Sequence, residues 1–235
     1  MDILLPPRCQ GCGGVLETTV PPHLCACCRQ GAVPIISPLC PSCGIPFPDY
    51  GGGDHLCGEC LHSPPAYRFA RSAFVYGGVI ADLIHDLKYG KKTVRRRVLG
   101  ELLLERLGET VSRWGADILV PVPLHPSRLR SRGFNQSLLL GEVIAPLLSL
   151  PIERSLLLRT RQTPSQTTLS RQQRLTSPKG SFALADPERV RGRSVLLLDD
   201  VMTTGGTLNE CARVLVRGGA VEVSALTVAR TVLEP

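Results

Sequence analysis

Eight cysteines near the start of the chain form four C-x-x-C pairs, an arrangement that binds metal. The pairs are Cys9/Cys12, Cys25/Cys28, Cys40/Cys43 and Cys57/Cys60. Two such turns can surround one zinc ion with four thiolates, so this segment predicts two structural zinc ions. The first and third pairs begin 31 residues apart, at Cys9 and Cys40, which indicates a repeat. Sequential pairing of the turns is the simpler prediction, and interleaved pairing stays open.

A second chemical signal lies in residues 195–208, where an apolar strand precedes a glycine-rich loop. The strand ends in Asp199 and Asp200, and the loop that follows is Thr203-Thr204-Gly205-Gly206-Thr207. Glycines let backbone N–H groups approach an anion closely, and the N-terminus of the next helix adds positive charge. The adjacent carboxylates suit vicinal hydroxyls or Mg²⁺. The segment therefore predicts a site for a phosphorylated sugar.

The elements expected around this loop alternate between strand and helix. Apolar runs predict strands at residues 73–76, 117–122, 194–198 and 221–228, with a polar loop reaching to about Arg132. Helical spacing predicts helices over about 80–90 and 94–107, one ending near 148, and a last one with an apolar face of Leu208, Cys211, Ala212, Leu215 and Val216. This order predicts an α/β fold with a mainly parallel sheet, helices on both faces and ligands beyond the carboxyl ends of the strands.

Composition divides the chain into a small part, residues 1–62, and a larger part, residues 63–235. The small part holds nine of the ten cysteines and a net charge of −3, whereas the larger part has a net charge of +10. A Pro- and Gly-rich segment of this size buries little apolar surface and needs a metal to fold. No apolar stretch reaches about 20 residues, and the N-terminal sequence has no basic region. We therefore expect a cytoplasmic protein without a membrane span or a secretory signal.

The loop segment resembles the phosphoribosyl pyrophosphate (PRPP) motif of type I phosphoribosyltransferases. Four apolar residues, two acids and the pattern V-x-T-T-G-x-T follow one another over 13 residues. The resemblance implies that Asp199 and Asp200 hold the ribose hydroxyls and that Mg²⁺ binds with PRPP. It implies that the 5′-phosphate is held by Thr203, Thr204, Gly205, Gly206 and Thr207.

Together with the cysteine repeat, three further segments resemble the ComF family of bacterial competence proteins over nearly the whole chain. They are Leu87-Lys-Tyr-Gly90, Pro121-Val-Pro123 ahead of Arg132-Gly-Phe-Asn-Gln136, and Arg174 eight residues after Gln166. The resemblance implies a double zinc ribbon over 1–62 and a type I phosphoribosyltransferase-like domain over 63–235. It places Val122 and Pro123 in the pyrophosphate-binding loop and a hood at about 159–179. It also implies other DNA-uptake proteins as partners.

The middle of the chain is strongly basic. Residues 88–179 carry 17 basic and six acidic side chains. With the resemblance to a DNA-uptake family, this charge predicts a surface that binds the phosphates of single-stranded DNA, and an ordinary solvated basic face is the alternative. The candidate contacts are Lys88, Lys91, Lys92, Arg95, Arg96, Arg97, Arg128, Arg130 and Arg132.

Two functions stay open at the level of the sequence. The first is a ComF-like protein that binds PRPP and acts in DNA uptake during natural transformation. The second is an enzyme of nucleotide metabolism or salvage that displaces pyrophosphate from PRPP with a nitrogen nucleophile. The sequence assigns no catalytic residue, because no side chain has a partner that marks it as a general base.

Overall fold

The computed structural model describes residues 6–17, 21–48, 52–90, 92–161 and 180–232. The strands are β1 (Phe69–Val75), β2 (Ile118–Pro121), β3 (Leu157–Arg159), β4 (Phe182–Leu184), β5 (Ser194–Met202) and β6 (Glu222–Arg230). The helices are α1 (Ala26–Gln30), α2 (Gly58–His62), α3 (Gly78–Tyr89), α4 (Arg95–Ser112), α5 (Pro126–Arg132), α6 (Gln136–Leu147) and α7 (Gly206–Arg217).

The central sheet is parallel and has the strand order β1-β6-β5-β2. The strands β2 and β6 are buried over almost their full length, as expected for a parallel sheet covered on both faces. The strand β5 continues past the predicted end at Leu198, because its ladder to β6 pairs Asp199 with Thr227 and Met202 with Arg230. Both aspartates therefore lie within the strand, which continues beyond them to Met202.

Helices cover both faces of the sheet, which confirms the predicted α/β fold. On one face, α3, α4 and α6 pack on Leu196, Leu198 and Leu226. On the other face, α7 packs on Val195, Leu197 and the residues around them. The predicted α3 face is confirmed, since Ile80, Leu83, Ile84 and Leu87 are all buried.

Three helical regions also differ from their predictions. The polar loop before Arg132 contains α5, which has no buried residue and therefore no apolar period to reveal it. It begins at Pro126 behind His125, whose ring accepts a hydrogen bond from the Ser127 N–H, and Gly133 ends it at φ 86°. Helix α4 continues to Ser112 rather than Leu107. Val216, placed on the apolar face of α7, is 44% exposed.

The cysteine-rich segment covers the outer edge of β1. The Ile35 N–H donates to the carbonyl of Ala73 at 3.0 Å, and the Val75 N–H donates to the carbonyl of Val33 at 2.9 Å. Further along the same edge, the Ala70 N–H donates to the carbonyl of Ser42 at 2.8 Å. An uncovered edge strand would offer these groups to another chain. The segment therefore completes the sheet as well as holding the cysteines.

A small antiparallel hairpin of β3 and β4 lies next to the predicted hood. Most of that segment, residues 162–179, lies outside the described residues, and so do Gln166 and Arg174. Among the described residues, no helix combines the length and the apolar character that a membrane crossing requires.

Candidate functional site

The cysteines converge in two groups of four, which fit zinc. The Sγ atoms of each group lie within 4.8 Å of one another. Individual separations are 3.8 Å between Cys12 and Cys25 and 3.7 Å between Cys43 and Cys57. Four sulfurs at about 2.3 Å from one zinc ion would stand about 3.8 Å apart in a tetrahedron. The first tetrad is Cys9, Cys12, Cys25 and Cys28, and the second tetrad is Cys40, Cys43, Cys57 and Cys60.

This grouping confirms sequential pairing of the turns and shows that interleaved pairing is wrong. Backbone N–H groups point at the sulfurs, from Cys25 to Cys9 at 3.3 Å and from Cys57 to Cys40 at 3.5 Å. Burial opposes ionisation of Cys9, but hydrogen bonds from the backbone N–H groups of Cys25, Cys12 and Gly11 outweigh it and lower the pKa of Cys9 to about 6. The metal-bound form of a cysteine is the thiolate, and backbone N–H groups favour this form at Cys9 and at Cys40.

The two remaining cysteines play no part in the tetrads. Cys27 is exposed and Cys211 is fully buried on α7. Burial raises the pKa of Cys211 well above its ordinary value, which disfavours the thiolate that a nucleophile requires. This agrees with the sequence interpretation of Cys211 as a core residue.

A cleft of about 290 Å³ opens at the carboxyl ends of the parallel strands. Its wall includes Tyr76 after β1, Val122 after β2, the end of β5 and Thr231 after β6. The cleft therefore lies beyond the carboxyl ends of the strands, where the sequence predicts the ligand site. The charged residues of its wall are Lys88, Arg128, Arg132, Arg159, Asp199 and Asp200.

The two aspartates at the end of β5 have different partners. Asp199 accepts hydrogen bonds from the Ser137 hydroxyl at 2.7 Å and from the Asp200 N–H at 2.9 Å. Asp200, whose side chain is 5% exposed, forms an ion pair with Lys88 at the end of α3. A buried carboxylate without a cation would be costly, so Lys88 is the group that keeps Asp200 charged.

These partners separate the pKa values of the pair. Burial raises the pKa of Asp199 to about 7, and the charge of Asp200 adds to this effect. Burial also opposes ionisation of Asp200, but the Lys88 ammonium outweighs it and holds the pKa of Asp200 below its ordinary value. Burial opposes a charge on Lys88, and Asp200 in turn raises the pKa of Lys88.

The loop of residues 203–207, which we call the anion loop, connects β5 to α7. Gly205 caps the helix at φ 80°, and a Cβ atom on it would lie 2.6 Å from the Met202 Cε atom. The positive φ favours glycine there, and any larger residue would also displace the end of the Met202 side chain. The first turn of α7 has no acidic residue, so no carboxylate there competes with an anion for the positive end of the helix dipole.

The predicted members of the anion loop face two cavities. Thr203, Gly205 and Thr207 line the cleft. Thr204, Gly205 and Gly206 line a second cavity of about 350 Å³, which also reaches Cys43 and Cys60 of the second tetrad. The loop is thus a thin wall between the cleft and the second tetrad.

The segment after β2 is tied to the aspartates through α6. Val122 and Pro123 line the cleft, and the carbonyl of Val122 accepts a hydrogen bond from the Asn135 side chain at 3.0 Å. Asn135 also caps α6 by accepting from the Ser137 N–H at 3.1 Å. Ser137 then donates to Asp199. Neither Asn135 nor Ser137 was predicted as a site residue, although Asn135 stands in the segment Arg132-Gly-Phe-Asn-Gln136.

The basic candidates for DNA binding are distributed over several environments. Lys88, Arg128 and Arg132 line the cleft. Lys92 and Arg95 form ion pairs with Asp86, and Arg96 forms one with Glu142. Arg97 and Arg130 are exposed. Lys91 lies outside the described residues.

Tyr89, in the segment Leu87-Lys-Tyr-Gly90, is an aromatic residue at the cleft. It is 63% exposed and lines the cleft beside Lys88. The Arg132 guanidinium lies 5.1 Å from the centre of its ring, a cation–π contact. The ring and the guanidinium together offer a flat surface at the cleft.

Comparison with known proteins decides the family. Residues 1–61 match the double zinc ribbon domain, and residues 135–231 match the phosphoribosyl transferase domain. The chain is 35% identical over 212 residues to DNA utilization protein YhgH of Escherichia coli (strain K12), covering 88% of this chain and 90% of that protein. It is 30% identical over 227 residues to competence protein F of Haemophilus influenzae, covering 95% and 96%.

The chain belongs to the competence protein F family. Competence protein ComFC of Bacillus subtilis is a further relative, 27% identical over 224 residues, covering 88% of this chain and 84% of that protein. The zinc ribbons and the phosphoribosyltransferase-like fold are those implied by the resemblance of the sequence to the ComF family. The match to the phosphoribosyl transferase domain begins at Asn135 and ends at Thr231, so it includes the aspartates and the anion loop.

Proposed function

We propose that this competence protein F family member binds PRPP together with Mg²⁺ in the cleft and acts in the cytoplasm during DNA uptake. One observation carries the proposal: a carboxylate pair at the end of β5, with Asp199 half-buried and Asp200 buried, is followed directly by a glycine-capped helix N-terminus, and both line one cleft. Carboxylates bind vicinal hydroxyls, and the helix N-terminus binds a phosphate. PRPP carries both groups on the same ribose.

The remaining walls suit the pyrophosphate end of the ligand. Lys88, Arg128, Arg132 and Arg159 bring positive charge to the cleft. Guanidinium groups bind phosphate oxygens in a forked geometry, and an ammonium group binds them as a point charge. The Val122–Pro123 segment would lie beside this end of the ligand. The proposal thus places a cationic wall against the most highly charged part of PRPP.

The donor set also fits Mg²⁺. Carboxylate oxygens and phosphate oxygens are the ligands that Mg²⁺ binds in proteins, and it keeps several waters. The candidate protein ligands are Asp199 and Asp200, and bound Mg²⁺ would neutralise part of the phosphate charge. The chain's own contribution is to hold both carboxylates in place, through Ser137 for Asp199 and through Lys88 for Asp200.

A role in DNA uptake is supported by the relatives and by the charge. The similar proteins carry the names DNA utilization protein and competence protein. Arg97 and Arg130 are exposed cations in the basic middle of the chain. Exposed arginines that contact backbone phosphates give weak, salt-dependent binding with little sequence preference, and we propose single-stranded DNA as this partner.

A pair of matched glycine variants tests the PRPP site. Gly205→Ala places a methyl group against Met202, whereas Gly192→Ala has a similar φ of 71° and no atom within 4 Å of the new methyl group. We expect Gly205→Ala to abolish the thermal shift that PRPP with Mg²⁺ produces, and Gly192→Ala to retain it. Equal PRPP responses in the two variants would contradict the placement of the phosphate at the anion loop.

The same proteins decide between binding and turnover. Incubation with PRPP, Mg²⁺ and a panel of nitrogen bases is followed by measurement of released pyrophosphate. The proposal of a binding protein expects a thermal shift without base-dependent pyrophosphate release. Release that depends on one base and is lost in Gly205→Ala would instead establish a phosphoribosyltransferase acting in nucleotide metabolism or salvage.

A further inference from the structure

Arg230, the last residue of β6, is a buried cation with an unusual set of neighbours. It is 4% exposed, and its Nη1 atom donates to the carbonyl oxygen of Cys43 at 2.6 Å. The same Nη1 atom lies 3.2 Å from the Met202 Sδ atom. Within the part of the chain that the structure describes, no carboxylate forms an ion pair with Arg230, and its Nε atom is buried without a hydrogen-bond partner. A buried charge of this kind requires compensation from elsewhere.

The second tetrad supplies that compensation when zinc is bound. Four thiolates and one Zn²⁺ ion carry a net charge of about −2. Cys43, which accepts the hydrogen bond from Arg230, is one of the four ligands. The guanidinium thus acts as an outer hydrogen-bond partner of the metal site, the kind of group that orients ligands and offsets the charge of a site.

Arg230 also contacts the support of the anion loop. Met202 pairs with Arg230 in the β5–β6 ladder and packs against Gly205, where a Cβ atom would lie 2.6 Å from the Met202 Cε atom. The second cavity shows the same proximity, since Cys43, Cys60, Arg230, Thr204, Gly205 and Gly206 all line it. Arg230 itself does not line the cleft, although its neighbour Thr231 does.

We propose that Arg230 is a positioning residue that couples zinc in the second tetrad to the conformation of the anion loop. Bound zinc fixes the position of Cys43. The Cys43 carbonyl and the negative charge of the zinc–thiolate cluster then fix the Arg230 guanidinium, which in turn keeps Met202 against Gly205. Binding at the loop and binding of the second zinc then favour each other, and thermodynamic linkage makes the effect reciprocal. None of the four cysteines of the first tetrad lines the second cavity beside the anion loop, so the first zinc serves as an internal control.

The first experiment follows zinc transfer from the full-length protein to a chromophoric chelator. Cys12→Ser removes a ligand of the first tetrad, so the zinc that this variant still releases identifies the kinetic phase of the second tetrad. Arg230→Met removes the charge at similar length, and Arg230→Lys keeps the charge. We expect Arg230→Met to release the second zinc about tenfold to hundredfold faster, the effect of losing one charge-assisted hydrogen bond, with the first zinc unchanged. Arg230→Lys should restore most of the retention.

The second experiment uses the same assay on the unaltered protein with PRPP added. Its use of PRPP as the ligand rests on the proposed function. PRPP with Mg²⁺ should slow release of the second zinc and leave the first unchanged. Arg71→Met is the matched control for affinity: Arg71 donates to the carbonyl of Pro41 beside the second tetrad but, unlike Arg230, does not line the cavity that the anion loop shares with Cys43 and Cys60. PRPP affinity should fall in Arg230→Met and stay unchanged in Arg71→Met.

Specific outcomes overturn the coupling. The coupling would be refuted if folded Arg230→Met released the second zinc at the wild-type rate. It would also be refuted if Arg230→Met and Arg230→Lys both released the two zinc ions faster by the same factor. If Arg230→Met does not fold, the unaltered protein decides: PRPP that binds by calorimetry without slowing the second zinc refutes the proposal. If PRPP gives no heat at all, the proposed function fails, and zinc release from the Arg230 variants still tests the link to the second tetrad.

Discussion

Replacing Lys88 by Met removes the cation that keeps Asp200 charged inside the protein. The Asp200 side chain is 5% exposed and that of Lys88 is 20% exposed, so the pair is largely hidden from water. Breaking a buried ion pair by removing one partner costs about 3–5 kcal/mol, because the other charge is left uncompensated. We expect Lys88→Met to lower the free energy of unfolding by this amount at pH 8, measured by urea denaturation.

The pH dependence distinguishes this mechanism from lost packing. Without Lys88, burial raises the pKa of Asp200, so Asp200 becomes protonated as the pH falls and the penalty disappears. The destabilisation should therefore shrink between pH 8 and pH 5. Adding Asp200→Asn to Lys88→Met should recover most of the loss at pH 8, since the amide carries no charge to bury.

Lys92→Met is the control for removing a lysine from the same region. Lys92 is 54% exposed and pairs with Asp86, which keeps Arg95 as a second partner. An exposed pair contributes about 0–1 kcal/mol, so this variant should be almost as stable as the parent protein. Equal stability of Lys88→Met and Lys92→Met would refute the buried ion pair of Lys88 with Asp200. Lys88 would then be interpreted as one of the solvent-exposed cations predicted to bind DNA.

The other predictions concern the metal sites, Asp199 and the basic surface. Elemental analysis should find two zinc ions per chain and one in Cys57→Ser; zinc near zero with eight cysteines in disulfides would contradict the tetrads. Because the pKa of Asp199 is raised to about 7, stability should fall as the pH rises from 4 through 7, and Asp199→Asn should show no such fall in urea denaturation. Single-stranded DNA binding should weaken with salt, and Arg97→Ala with Arg130→Ala should flatten the log–log slope by about 1.4, at about 0.7 per phosphate; an unchanged slope would favour a solvated basic face.

The parts of the fold that the sequence predicted are those with a periodic apolar pattern. The β5 core and the α3 face have uninterrupted apolar spacing, and both are buried as predicted. Helix α5 was missed because it has no buried residue and is defined by its caps, His125 and Gly133. The start of β1 was missed because Ser72 is polar, and only the structure shows its buried hydrogen bond to Thr227 at 2.6 Å.

The site was predictable where its residues are adjacent in the chain and not where they come together through the fold. The tetrads and the anion loop are each read from a short local pattern. Ser137 and Lys88 contact the aspartates from α6 and α3, and Arg230 reaches Cys43 across 187 positions of the chain. Lys88 was grouped with the DNA contacts because its charge was visible in the sequence and its partner was not.

Calorimetric titration of the zinc-loaded protein with PRPP and Mg²⁺ tests the central claim most directly. We predict one binding event per chain, with affinity about tenfold to hundredfold weaker in Asp200→Asn, because a charge-assisted hydrogen bond to a ribose hydroxyl is lost. Glu142→Gln, whose carboxylate pairs with Arg96 and Arg154 away from the cleft, should bind like the parent protein. Absence of heat from the parent protein at millimolar PRPP, or equal affinity in Asp200→Asn, would contradict the claim that this cleft is a PRPP site.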